Sequence, residues 1–242
     1  MKINSLNNDR IKYFSKLKQK KYRDKEGLFL VEGMHLVLEA YKSGYLKEII
    51  LEENEDISFN FNIIYYVPSK LIKKISDLDT PSKVIGVCKK KEEKELGNKV
   101  LLLDRIQDPG NLGTIIRSSV AFGMDTIVLS EDSVDLYNSK VIRSTQGMLF
   151  HINIISRDAS SFINEVKKEN YIIYGTKVTN GKDVKKLEKE SKYVLIVGNE
   201  GQGISDSLLK LCDEYLYINM EKECESLNVA VATSIIIYEL NK

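Results

Sequence analysis

Short apolar runs alternate along this chain with segments whose apolar residues recur every three or four positions, the pattern of strands and helices in an α/β fold. Near the amino terminus Ile11, Phe14 and Leu17 fall at i, i+3 and i+6, which predicts an amphipathic helix. LFLVEGMHLVLEAYKSG then reads as a strand over residues 28–31 and a helix with Leu36, Val37, Ala40 and Tyr41 on one face, stopped at Gly44. LKEIILEE, NIIYYVP, SKLIKKISD and KVIGVCKK continue the alternation. The charged stretch KKKEEKELGNK, residues 89–99, has no apolar periodicity and reads as a linker. A small α/β domain is therefore expected over residues 1–92 and a second domain over residues 93–242.

In the second domain VLLLD (100–104), TIVLS (126–130), INIIS, YIIYGT and YVLIVG are continuous, mostly β-branched runs. Such runs belong to a parallel sheet covered on both faces, whose ligands sit beyond the carboxyl ends of the strands. The late stretch ESLNVAVATSIII is harder to place. Val229, Val231, Thr233, Ile235 and Ile237 alternate with period two, as in a strand. Its length and all-round apolar character favour a buried helix with Ser226 or Asn228 in the first turn, and a helix is the expectation.

Composition narrows the chemistry. The chain has 242 residues, 43% hydrophobic and 29% charged, with no run approaching the ~18 apolar residues of a membrane span. MKINSLNNDRIKYF lacks the apolar h-region of a secretion signal, so the cytoplasm is the expected location. Cys88, Cys212 and Cys224 have no CxxC spacing and are expected to be reduced and packed. His35 and His151 stand far apart without a second ligand, so no metal is expected, and proton removal must use groups other than histidine. The net charge of +1 conceals a gradient: Lys2, Arg10, Lys12, Lys16, Lys18, Lys20, Lys21, Arg23 and Lys25 meet only Asp9 and Asp24. The amino-terminal helix thus has a basic outer side, either solvated or in contact with phosphates.

Three loops carry candidate chemistry. In DRIQDPGNLGTIIRS, Pro109-Gly110 marks a turn, Asn111 reads as the N-cap of a helix starting at Leu112, and Arg117 is left over. In VGNEGQGISD the glycines allow close backbone approach, in an order unlike the dinucleotide-binding fingerprint, and Glu200 is left over. In ESLN the polar groups Glu225, Ser226 and Asn228 abut the apolar run.

NLGTIIR, LIVGNEGQGIS and YINMEKECESLNVAVATSIIIYEL, in this order, resemble the three motifs of the SpoU (TrmH-like) RNA ribose methyltransferases of the SPOUT superfamily. The resemblance implies a carboxy-terminal trefoil-knotted methyltransferase domain with a parallel sheet, preceded by a small α/β substrate-binding domain. It implies S-adenosylmethionine as cofactor, RNA as substrate, and a homodimer with the active site at the subunit interface. By motif position it assigns Asn111, Arg117, Glu200, Ser226 and Asn228 to catalysis, and Thr176, Gly198, Gly203, Ile218, Met220 and Leu227 to the cofactor. The sequence departs from the family at Asn219, where Pro is frequent, at Lys222, where Gly is frequent, and at Ala230. The implied reaction is methylation of a ribose 2′-hydroxyl, in large-subunit (23S) ribosomal RNA by analogy with members carrying a front domain. Transfer RNA as substrate, or an RNA-binding module that has lost catalysis, are the alternatives.

Overall fold

The computed structural model describes residues 1–188 and 190–242. The chain divides into two compact units, one of residues 1–92 with 135–151, the other of residues 93–134 with 152–242.

In chain order the first unit opens with α1 (Asp9–Lys16), α2 (Lys20–Glu26), β1 (Leu28–Glu32), α3 (Met34–Lys42), β2 (Leu46–Glu52), β3 (Ile64–Val67), α4 (Ser69–Ile75) and β4 (Val84–Lys89). Among the described residues its strands form one sheet in the order β1-β4-β2-β3, antiparallel except for the β2–β3 pair. The expected amino-terminal helix is present as two helices. Ile11, Phe14 and Leu17 are fully buried beside Leu71, Ile72 and Ile75 of α4 and Ile50 of the sheet. The helical periodicity there reports core packing as well as a surface face.

The second unit takes β5 (Lys99–Leu103), α5 (Pro109–Ala121) and β6 (Thr126–Ser130). The chain then contributes α6 (Ser139–Thr145) to the first unit before returning with β7 (Asn153–Arg157), α7 (Ala159–Lys167), β8 (Ile172–Thr176), β9 (Lys182–Asp183), β10 (Tyr193–Val197), α8 (Asp206–Leu209), β11 (Glu214–Tyr217) and α9 (Val229–Asn241). Residues 135–151 are held within the first unit by a buried ion pair of Asp135 with Arg23, stacking of Phe150 on Tyr45, and a 3.0 Å contact of His151 Nε2 with Glu39 Oε2. A division of the chain at residue 92 alone leaves this segment in the second unit.

The second sheet has the order β7-β6-β5-β10-β8-β11-β9, and every pair is parallel. β5, β6, β8 and β10 are almost wholly buried, as their apolar runs require. From β5 the chain builds outward through β6 and β7, then crosses to β8 on the far side of β10. The strand order reverses between β5 and β10, and at such a switch point the loops leaving the carboxyl ends diverge and open a crevice. Register sets those ends level, with Val197 opposite Leu103 and Gly175 opposite Ile196.

The β-branched run that follows the loop after β11 forms α9 and is therefore helical. Ala230, Thr233, Ile236, Ile237 and Leu240 pack inward, while Val231 and Tyr238 stay 47% and 50% exposed. Cys88 is buried and Cys212 half-buried, but Cys224 is exposed in the loop before α9; only two of the three cysteines are packed.

Candidate active site

Asp104 follows the last apolar residue of β5 and is only 3% exposed. Its carboxylate accepts the backbone N–H of Ser205 at 2.8 Å and the Arg105 guanidinium at 3.2 Å. Arg105 has φ 57°, a left-handed conformation rare for a side-chain-bearing residue. Such strain persists only where surrounding bonds over-determine it. Here the Arg105 amide donates to Ser130 Oγ, its carbonyl accepts from Asn199 Nδ2, and its guanidinium reaches Gln202 Oε1 at 3.0 Å. The loop after β5 and the glycine loop after β10 are thereby laced together.

The helix α5 begins earlier than the sequence suggested. Asp108 is its N-cap, accepting from the Asn111 amide at 2.8 Å, and Pro109 occupies the first turn, where its missing N–H costs nothing. With the cap supplied by Asp108, the side chain of Asn111 is free to look outward. Its Nδ2 donates to Glu200 Oε1 at 3.1 Å, and its Oδ1 accepts from Asn228 Nδ2 at 3.0 Å.

Glu200 also accepts the backbone N–H groups of Asp108 at 3.1 Å and Gln107 at 3.3 Å. Burial pushes its carboxyl pKa up, but the bonds from Asn111 and these amides outweigh burial and hold it below the usual carboxylate value. The acid the turn chemistry left unexplained is thus the acceptor that joins the two loops. Asn228 serves twice: its Oδ1 caps α9 by accepting from Ala230 and Val231, and its Nδ2 closes the chain Glu200–Asn111–Asn228.

Through Glu200 this network borders a cavity of about 390 Å³, within the range of small-molecule sites. Thr176, Gly198, Gly203, Ile218, Met220 and Leu227 all line it, together with Glu200 and Ser226. Gly198 has no room for a side chain, since a Cβ there would overlap the backbone of Gly203 and Ile204, and Gly203 takes φ +68°. The glycines therefore shape the loop that forms one wall. Ile218, Met220 and Leu227 supply apolar surface, and Ile236 and Thr233 of α9 close the inner side.

Of the residues expected to share a site, Asn111, Glu200 and Asn228 are directly bonded and Ser226 faces the same cavity. Arg117 is not joined to them: it lies exposed on α5 and its side chain makes no hydrogen bond or salt bridge among the described residues. Its neighbour Ser118 meets Ser234 of α9 at 2.6 Å. Asp104 and Arg105 were not singled out from the sequence. An acid at the carboxyl end of a bare apolar strand was an available signal for Asp104, whereas nothing local announced the left-handed Arg105. Among the described residues no group of three or more His, Cys, Asp and Glu side chains could hold a metal ion, and no helix is long and apolar enough to cross a membrane.

Residues 98–238 match the SpoU rRNA Methylase family and residues 8–86 the MRM3-like substrate binding domain. The chain is 40% identical to the 23S rRNA (guanosine(2553)-2′-O)-methyltransferase RlmP of Bacillus subtilis (strain 168), over 98% of each chain. The AdoMet-bound rRNA methyltransferase of Sinorhizobium meliloti superposes with a TM-score of 0.86 at 28% identity, covering 99% of this chain and 97% of that one. The SpoU methyltransferase AviRb of Streptomyces viridochromogenes shares the fold, with a TM-score of 0.85 at 23% identity and 97% coverage of both chains.

Proposed function

The chain belongs to the SpoU rRNA Methylase family, and on that premise we propose that it transfers the methyl group of S-adenosylmethionine to a ribose 2′-hydroxyl of large-subunit ribosomal RNA, in the cytoplasm. The observation that carries this reading is the bonded trio Asn111, Glu200 and Asn228, which borders the 390 Å³ cavity through Glu200.

The cavity suits S-adenosylmethionine in volume, in its apolar wall of Ile218, Met220 and Leu227, and in the close-approaching backbone at Gly198 and Gly203. When bound, the cofactor supplies an electrophilic methyl group on a sulfonium sulfur. All else falls to the chain. The products are the methyl ether, S-adenosylhomocysteine and a proton, so the hydroxyl must be aligned and relieved of its proton. Near-attack positioning is worth ~7–11 kcal/mol, which makes orientation the main task. We assign it to Asn111 and Glu200, steadied by Asn228, with Ser226 on the cavity wall.

A guanidinium stays protonated in proteins, so we assign Arg117 to fixing an RNA phosphate and stabilising the developing alkoxide, not to taking the proton. Arg117 has no bond to the network of its own chain. This, with the exposed Val231 and Tyr238 on α9, supports a homodimer in which Arg117 serves the cavity of the partner subunit. Residues 1–92 are read as the RNA-binding part, supported by the match over residues 8–86, and a trefoil knot in residues 93–242 belongs to the same reading.

The test is transfer of labelled methyl groups to ribosomal RNA from cells lacking the gene, followed by alkaline hydrolysis, which a 2′-O-methyl group blocks at the adjacent phosphodiester. One protected site is expected. Arg117→Ala should abolish transfer and leave cofactor affinity unchanged by titration calorimetry; turnover near wild type would remove Arg117 from its role.

A further inference from the structure

The basic amino-terminal region is less uniform in space than in sequence. Arg10 pairs with Glu48, Lys18 with Asp77 and Arg23 with Asp135, so these three cations are spent inside the first unit. Lys16, Lys20, Lys21 and Lys25 form no salt bridge among the described residues and point the remaining charge outward. Two of them, Lys16 and Lys25, line a cleft of about 100 Å³ between α1 and α2, together with Tyr13, Leu17, Tyr22 and Glu26.

Three features decide what such a cleft holds. Its volume is a fraction of the ~300–1,000 Å³ of a whole-ligand site, so it suits a single ring system. Two half-buried tyrosine rings border it, and the Lys16 ammonium lies 5.5 Å from the Tyr22 ring centroid. Glu26 sits on its edge, accepting from the Tyr13 hydroxyl at 3.3 Å, and a carboxylate there can receive an exocyclic amino group. Aromatic faces for a ring, lysines for its flanking phosphates and an acceptor for its edge together describe an unpaired nucleotide.

We propose that the α1–α2 cleft is a nucleotide subsite that takes one unpaired base of the substrate RNA, stacked on Tyr22 and Tyr13, with Lys16 and Lys25 on the adjacent phosphates. The proposal rests on the RNA-methylating reading and adds to it a place, remote in sequence from the three motifs, where unpaired RNA is distinguished from duplex. Bases bearing an amino group are favoured over uracil, because Glu26 offers only acceptors.

Deleting residues 1–22 would remove Ile11, Phe14 and Leu17 from the core and so cannot report on the cleft. Point variants in the full-length protein can. Binding is measured by anisotropy to a hairpin RNA with aminopurine in its loop and to a blunt duplex of equal length, across a salt series. Tyr22→Ala should weaken hairpin binding about five- to hundred-fold, leave the duplex unaffected and keep the salt slope. Tyr22→Phe should bind as wild type. Lys16→Ala with Lys25→Ala should flatten the hairpin salt slope by about 1.4. Aminopurine emission should be quenched on binding to wild type, a readout that stands even if Tyr22→Ala fails to fold. Equal loss on hairpin and duplex, no loss on either, or unquenched emission at saturation overturns the subsite. Failure of the RNA reading itself shows differently, as wild-type protein that binds neither RNA.

Discussion

Glu200 faces donors only: the amides of Gln107 and Asp108 and the Nδ2 group of Asn111. An ionised carboxylate satisfies all three, and a glutamine of the same shape cannot, because its amino end would oppose an N–H. Glu200→Gln is therefore expected to slow single-turnover methyl transfer on the order of ten-fold, the low end of ~1.5–3 kcal/mol for a bond to a charged group, since the site is open to solvent. The melting temperature should barely move, as no core contact is lost. The sign of the pH effect follows from the depressed carboxyl. Its bonds are intact above the usual carboxylate value of 4.5 and are lost as pH falls through the lower folded value. Wild-type transfer should thus show no inflection from this group at neutral pH, and a Glu200-dependent loss at or above neutrality would contradict the assignment.

The helix α9 shows how an element can be specified against its own propensity. Val229, Val231, Thr233, Ile235 and Ile237 favour strands, yet the inward positions Ala230, Thr233, Ile236, Ile237 and Leu240 recur at helical spacing and a capping Asn228 stands before them. Length, burial and a cap outweigh β-branching, which lowers helix propensity only slightly. Capping was legible at α9 and misplaced at α5, where Asp108 and Asn111 are both good cap residues three apart and only the start at Pro109 separates them. The double use of Asn228 gives a test that divides structure from catalysis. Asn228→Ala should lose the cap, at about 1 kcal/mol, together with the bond to Asn111. Asn228→Asp keeps a good cap but loses the Nδ2 donor and turns a carboxylate toward Asn111 Oδ1. Its thermal melt should match wild type while transfer falls on the order of ten-fold or more. Parallel loss of stability and activity in Asn228→Asp would make the residue a cap alone.

At the scale of the whole molecule, periodicity and turn signals marked most strands and the charged linker, because those depend on neighbours in sequence. The transfer of residues 135–151 to the first unit was not legible. Its anchors, Asp135 with Arg23 and His151 with Glu39, join positions 112 residues apart on segments that each look like ordinary surface. The placing of β10 between β5 and β8 was equally hidden, since apolar runs of similar composition carry no record of their order in a sheet. That order sets the carboxyl ends of β5 and β10 level, so that loops 93 residues apart in sequence meet at Glu200.

Arg117 is the residue this geometry leaves outside, and on the proposed reading it is a symmetric dimer that brings it in. If Arg117 of one subunit serves the cavity of the other, two defective variants should rescue each other. In a hybrid of Arg117→Ala with Asn228→Ala, the Arg117→Ala subunit keeps an intact cavity and receives the arginine of its partner, whereas the opposite cavity lacks both. Random pairing makes half of the dimers hybrids with one working site of two, so mixing after reversible dissociation should restore roughly a quarter of wild-type transfer. An arginine acting within its own subunit leaves every cavity in the mixture with a defect. Methyl transfer by the mixture that stays at the level of the separate variants, with hybrid formation verified by differential tagging, would rule out a site shared between subunits.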